Sequence, residues 1–88
     1  MQRRSVVAQV EEIAQPIARR FGLVVADVEL LGEGGRAVLR VVVEPTEEGA
    51  LGVTVDELAR VSEMLSRQLD LRDPIPHPYT LEVSSPGL

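Results

Sequence analysis

The sequence predicts a two-layer α+β domain, in which two helices pack on one face of a three-stranded sheet in the order α-β-β-α-β. Two stretches carry apolar residues at the three-to-four spacing of a helix face. Three others alternate apolar and polar residues as half-buried strands do. The chain has 88 residues, which suffices for one small domain with a two-layer core. We therefore interpret residues 1–88 as a single domain.

The first predicted helix covers residues 5–20. Its apolar stripe consists of Val6, Val10, Ile13, Ala14, Ile17 and Phe21. Pro16 lies inside this pattern and removes one backbone hydrogen bond, so we expect a kink or a break there. Gly22 suits the left-handed position that ends a helix.

Two strands are predicted next, over residues 23–31 and 36–44, and the glycine-rich residues 32–35 join them. The inner faces are assigned to Val24, Ala26, Val28 and Leu30 on the first strand and to Leu39, Val41 and Val43 on the second. A phosphate-binding glycine loop leads into a helix, whereas this one joins two strands, so an antiparallel hairpin is the better interpretation. The pattern does not determine whether the last strand pairs with the first or with the second strand, and we favour the arrangement in which the first strand is central.

The loop after the second strand contains Gly-Ala-Leu-Gly at residues 49–52. In KH domains a Gly-x-x-Gly segment joins two helices and clamps a nucleic-acid backbone. Here the segment follows a strand, and Glu47 and Glu48 beside it would repel phosphates. We interpret it as a flexible connection.

The second helix is predicted to begin at Val55, because Thr54 and Glu57 form a capping box and Val53 and Leu58 a hydrophobic staple. Its apolar stripe consists of Val55, Leu58, Val61, Leu65 and Leu69. Residues 70–78 form a stiff, extended connector, since alternating prolines exclude both a helix and a central strand.

The third strand is predicted over residues 79–84, where Tyr79, Leu81 and Val83 face inward. Pro86 ends it, because proline has no N–H to donate. The outer face of the sheet is expected to carry both polar and apolar residues: Asp27, Glu29, Arg40, Thr80, Glu82, Ser84, Val25, Leu31, Val38 and Val42. Such a mixture suits either a solvated face or a docking surface.

Composition limits the chemistry. The chain has no cysteine and one histidine, too few ligands of these types for an ordinary zinc site, and neither Ser84 nor Ser85 has an evident base. We expect no enzyme activity, no cofactor, no small-molecule substrate and no membrane span. Fourteen acidic residues against nine arginines give a net charge of −5, which favours a basic partner over a nucleic-acid backbone.

Residues 79–88 read Tyr-Thr-Leu-Glu-Val-Ser-Ser-Pro-Gly-Leu. This run resembles the signature of the bacterial ribosome maturation factor RimP family, and the resemblance extends back to about Ile13. The signature lies at the end of that family's N-terminal domain, before an SH3-like domain that we expect to lie outside these 88 residues. The resemblance implies a cytoplasmic, non-catalytic factor that binds the immature small (30S) ribosomal subunit and assists its assembly. A basic ribosomal protein is the expected contact, with ribosomal RNA as a further one.

The resemblance also supplies candidate contacts with a partner or with the second domain. These are Asp73, Glu82, Ser84, Ser85, Pro86 and Gly87. Two alternatives remain open. A KH-like nucleic-acid-binding module has a similar element order, although the acidic charge and the scarcity of aromatic residues oppose it. A purely structural or dimerisation domain would self-associate and ignore ribosomal components.

Overall fold

The computed structural model describes residues 5–32, 34–47 and 52–86. Residues 49–51 of the Gly-x-x-Gly segment lie outside these ranges. The described elements are α1 (Val6–Arg19), β1 (Leu23–Leu31), a one-turn 3-10 helix (Gly34–Arg36), β2 (Ala37–Pro45), α2 (Val55–Arg72) and β3 (Tyr79–Ser84). The predicted α+β class and the order α-β-β-α-β are thereby confirmed.

The sheet is mixed, and β2 is its central strand. β1 pairs with β2 in antiparallel orientation, and β3 pairs with β2 in parallel orientation. The prediction that the first strand is central is therefore wrong. Parallel neighbours need a long crossover, and α2 with its two loops supplies one between β2 and β3. An alternating pattern assigns faces to a strand but does not say which strands are its neighbours.

A β-bulge at Ala26 interrupts the pairing of β1 with β2. Val25 lies opposite Val43, whereas Asp27 lies opposite Val42, so Ala26 has no partner of its own. The extra residue reverses which side chains face inward. Val25 therefore packs against the core, which makes the predicted inward position of Val24 and the predicted outward position of Val25 wrong.

Two hydrogen bonds accompany the bulge. The Val25 N–H donates to Oε1 of Gln15 at 3.0 Å, so a side chain of α1 satisfies a backbone amide beside the irregular pair. The Val28 N–H donates to Oδ1 of Asp27 at 2.9 Å. Ala26 itself is exposed, so its predicted inward position is wrong. Beyond the bulge, Val28 and Leu30 face the core as predicted.

The core lies between the sheet and the two helices, which contact each other as well as the strands. Its largest fully buried side chains come from both layers: Val10, Leu39, Val41, Val43, Val61, Leu65 and Leu69. The predicted stripe of α2 is correct from Leu58 onward, but Val55 is 72 % exposed. Helical side chains point back toward the N-terminus, so Val55 at the first position lies over the cap rather than over the sheet.

The capping box of α2 is confirmed: the Glu57 N–H donates to Thr54 Oγ1 at 3.1 Å, and the Thr54 N–H donates to Glu57 Oε1 at 3.0 Å. The helix continues to Arg72, past the predicted start of the connector at residue 70. Asp73 caps it in the left-handed conformation, with φ 47°, and its N–H donates to the Leu69 carbonyl at 2.7 Å.

Of the kink or break predicted at Pro16, a break is absent, because the first helix continues through Pro16 to Arg19. Pro16 is exposed, which places its ring on the solvent side of the helix, where a missing hydrogen bond is tolerated best. Gly22 has φ 71°, as expected for the left-handed residue that follows the helix. Its carbonyl accepts from the Thr46 N–H at 3.1 Å, which ties the start of β1 to the end of β2.

We expect Gly32→Ala to destabilise the domain more than Gly22→Ala does. Both glycines have positive φ, which costs an alanine about 1 kcal/mol. A Cβ at Gly32 would also lie 2.8 Å from the backbone oxygen of Arg36, whereas nothing lies within 4 Å of one at Gly22. Urea unfolding should show losses of roughly 2–3 and 1 kcal/mol, respectively. Equal losses would contradict the close backbone approach at Gly32.

Candidate functional site

Both helices pack on one face of the sheet and leave the other face uncovered. Along this face the strand register places Glu29, Arg40 and Glu82 in one row across β1, β2 and β3. Nε of Arg40 lies 3.3 Å from Oε1 of Glu82, and these side chains are 39 % and 48 % exposed. A pair this accessible contributes less than about 1 kcal/mol, so both groups remain available to a partner.

We call this surface the sheet face. By register and alternation it comprises Val24, Asp27, Glu29, Leu31, Val38, Arg40, Val42, Glu44, Thr80, Glu82 and Ser84. Four carboxylates and one guanidinium give it a formal charge of −4 + 1 = −3. Its apolar side chains are partly buried valines together with Leu31, which is 38 % exposed. The sheet face thus offers apolar area surrounded by negative charge.

A second surface, which is concave, lies where α2 ends and β3 begins. We call it the connector groove, an open groove of 490 Å³. Its lining comprises Ser66, Asp70, Asp73, Ile75, Pro76, His77, Pro78, Tyr79 and Leu81. Because α2, the proline connector and β3 meet here, the groove is built from two secondary-structure elements and a stiff segment between them.

The groove is electrostatically negative around its aromatic ring. Burial raises the pKa of the Tyr79 hydroxyl above 10.0, and the nearby carboxylates of Asp70 and Asp73 raise it further. Both carboxylates therefore lie close enough to the ring to oppose a phenolate. Within the part of the chain that the structure describes, neither side chain has a hydrogen-bond or ion-pair partner.

The predicted contact residues do not form one site. Asp73 lies in the connector groove, whereas Glu82 and Ser84 lie on the sheet face. Ser85 is buried, at 6 % exposure, and Pro86 is exposed beyond the strand end. Tyr79–Ser84 spans about 17 Å, so the groove and the strand end lie at opposite ends of β3. Gly87 lies outside the described residues.

The sequence patterns alone do not identify the groove, because they assign Tyr79 to the core and place Asp70 in the connector. A usable signal exists, because Asp70 and Asp73 are three residues apart at the end of an apolar-striped helix. Residues at that spacing share a helix face, and the proline connector then returns the chain toward them.

In residues 5–32, 34–47 and 52–86, no three His, Asp or Glu side chains are grouped so that they could hold a metal ion. Nδ1 of His77 lies 3.1 Å from the Pro78 carbonyl oxygen, a contact within the connector. Neither helix of the described residues is long and apolar enough to cross a membrane.

The sequence model of the RimP N-terminal domain matches residues 13–88. The chain belongs to this family. The match begins inside α1 and covers all three strands and α2, which confirms the extent of the resemblance seen in the sequence. As a RimP N-terminal domain, the chain belongs to a family of ribosome maturation factors. The sheet face and the connector groove are the candidate contact surfaces of this RimP domain.

Each of Asp70→Asn and Asp73→Asn should lower the pKa of Tyr79 toward 10.0, because each removes a negative charge that opposes the phenolate. The near-ultraviolet absorbance of tyrosinate reports this directly, since Tyr79 is the only tyrosine and the chain has no tryptophan. Glu11→Gln is the control and should leave the titration unchanged. An unchanged pKa in both aspartate variants would show that the carboxylates lie farther from the ring.

The same titration has a defined effect on stability. The folded-state pKa of Tyr79 lies above the unfolded value of 10.0, so the unfolded chain loses the phenolic proton first as pH rises. The contribution of Tyr79 is thus fully present below pH 10.0 and is lost as pH rises through the folded-state pKa. In each aspartate variant, this loss should be smaller.

Proposed function

We propose that this domain binds the immature small (30S) ribosomal subunit in the cytoplasm and assists its assembly without catalysing a reaction. Family membership supports the ribosomal role. The observation that carries the proposed contact is the uncovered sheet face, with its formal charge of −3 around apolar side chains. Its partner is a basic ribosomal protein.

The charge favours a protein contact over a nucleic-acid contact. The domain as a whole carries −5, and phosphate backbones are bound by displacing their counterions with positive charge. A second copy of the chain is also disfavoured as a partner of the sheet face, because two surfaces with a formal charge of −3 each would repel one another. A basic protein is attracted over a distance and gains apolar contact on docking. Ribosomal RNA is then a further contact beside this protein.

The end of β3 has a different role in this proposal. Ser84, Ser85, Pro86 and Gly87 form the junction with an SH3-like second domain. The burial of Ser85 supports this assignment, because a buried hydroxyl shapes the chain locally rather than meeting a partner. Pro86 stops the strand, so the following segment can turn away from the sheet.

The proposal is tested by co-sedimentation of the 88-residue domain with purified free small subunits. We expect Glu29→Gln/Glu82→Gln to weaken binding roughly fivefold, because two charges are removed from the contact. The matched control Glu11→Gln/Asp56→Asn changes the net charge equally at exposed positions on the helices. It should weaken binding less than twofold, as an estimate for non-contact charges.

Four results would contradict the proposal. Equal weakening of both double variants would show that only overall charge matters. Subunit binding by a chain extended through the second domain, but not by the 88 residues, would remove the sheet face as an independent site. Binding to protein-free ribosomal RNA that falls steeply with salt would favour the KH-like alternative, and concentration-dependent light scattering without subunit binding would favour a dimerisation domain.

A further inference from the structure

We propose that the connector groove binds an arginine side chain presented by an extended segment of a basic protein. This site is separate from the sheet face. The proposal rests on the proposed function in one respect only: that the basic protein is a component of the small subunit. The occupant follows from the charge, shape and aromatic lining of the groove.

Charge complementarity is the first argument. Asp70 and Asp73 both lie near the Tyr79 hydroxyl, and neither has a partner among the described residues. Within α2, Nη2 of Arg67 pairs instead with Oε1 of Glu63 at 2.8 Å. The negative charge of the groove is therefore not neutralised by an ion pair within the described chain.

Shape is the second argument. The groove has a volume of 490 Å³, within the usual range of ligand-binding clefts and larger than one side chain. Ile75, which is buried, and Leu81 give it an apolar lining beside Tyr79. A side chain with an apolar stem and a charged planar head matches this arrangement, since the stem contacts the lining while the head meets the carboxylates.

Rigidity is the third argument. Pro76 and Pro78 restrict the connector, and the left-handed Asp73 is tied to the last turn of α2 through its N–H. Because these walls are already ordered, little conformational entropy is lost when a ligand binds. On binding, conformational entropy is then lost mainly by the extended basic segment.

Arginine fits better than lysine for a geometric reason. Guanidinium is planar, donates to two carboxylates at once and stacks on an aromatic face, whereas ammonium is a compact, strongly hydrated point charge. Tyr79 supplies the aromatic face, and its ring quadrupole also attracts a cation. A nucleic acid is excluded as occupant because its phosphates would meet two carboxylates.

The test measures binding of a fluorescein-labelled peptide of repeated Gly-Ser-Arg units to the 88-residue chain by fluorescence anisotropy. We expect Asp70→Asn/Asp73→Asn to weaken binding at least about fivefold, because two charge-assisted contacts are lost. The matched control Glu11→Gln/Asp56→Asn has the same net charge and should change the affinity less than about twofold. Asp56 lies about 21 Å from Asp70 along α2, so it reports non-specific attraction.

Two further measurements separate arginine recognition from general charge. A peptide with lysine in place of arginine should bind more weakly, and a peptide with neutral citrulline should bind most weakly. Tyr79→Phe retains the ring and should bind nearly normally, whereas Tyr79→Leu should bind several-fold more weakly. Binding of the arginine peptide should also lower the pKa of Tyr79, because the bound cation stabilises the phenolate.

Asparagine tolerates the left-handed conformation that residue 73 adopts, so the double aspartate variant should fold. Equal weakening of the two double variants, equal binding of the citrulline peptide, or no binding at all would overturn the proposal. The peptide assay contains no ribosomal component, so its result does not depend on whether the domain binds the small subunit. Conversely, an empty groove would leave the sheet-face proposal standing.

Discussion

Burial of one face of β2 is the constraint on which the rest of the structure depends. β2 is hydrogen-bonded on both sides, and its inward side chains Leu39, Val41 and Val43 have no solvent exposure. The described residues supply two α-helices with which to cover them, and both pack on the same side of the sheet. The opposite face then has nothing in the described chain to cover it. The sheet face is thus a consequence of how this small core is closed.

The bulge at Ala26 allows both halves of β1 to turn their apolar side chains toward that core. Without an extra residue, Leu23 and Val25 would lie on the same face as Asp27 and Glu29, so either apolar area would be exposed or carboxylates would be buried. The bulge reverses the alternation, so that Leu23 and Val25 face the core while Asp27 and Glu29 face the opposite side. Leu23 is consequently buried, and Asp27 adds its charge to the sheet face. An irregularity in one strand therefore determines the charge of the surface that we propose binds a partner.

Local features of the sequence predicted local structure well. The capping box at Thr54 and the glycine at residue 22 act within one helical turn, so their geometry follows from neighbouring residues. Strand order and the bulge are not local, because both depend on which strands pair and with what register. Asp70 shows the same limit within the candidate site. Its importance appears only when the proline connector returns the chain beside it, an arrangement that residue spacing alone suggests but does not require.

β3 connects the two proposed binding surfaces. Its residues alternate, so Tyr79 and Leu81 line the connector groove while Thr80 and Glu82 lie on the sheet face. Because β3 is an edge strand, a partner can reach both surfaces by wrapping around it. Both surfaces are acidic but differ in shape: the groove suits one side chain on an extended segment, and the sheet face suits a folded surface. A basic protein with a folded body and an extended tail would satisfy both, and its two contacts would strengthen each other through effective concentration.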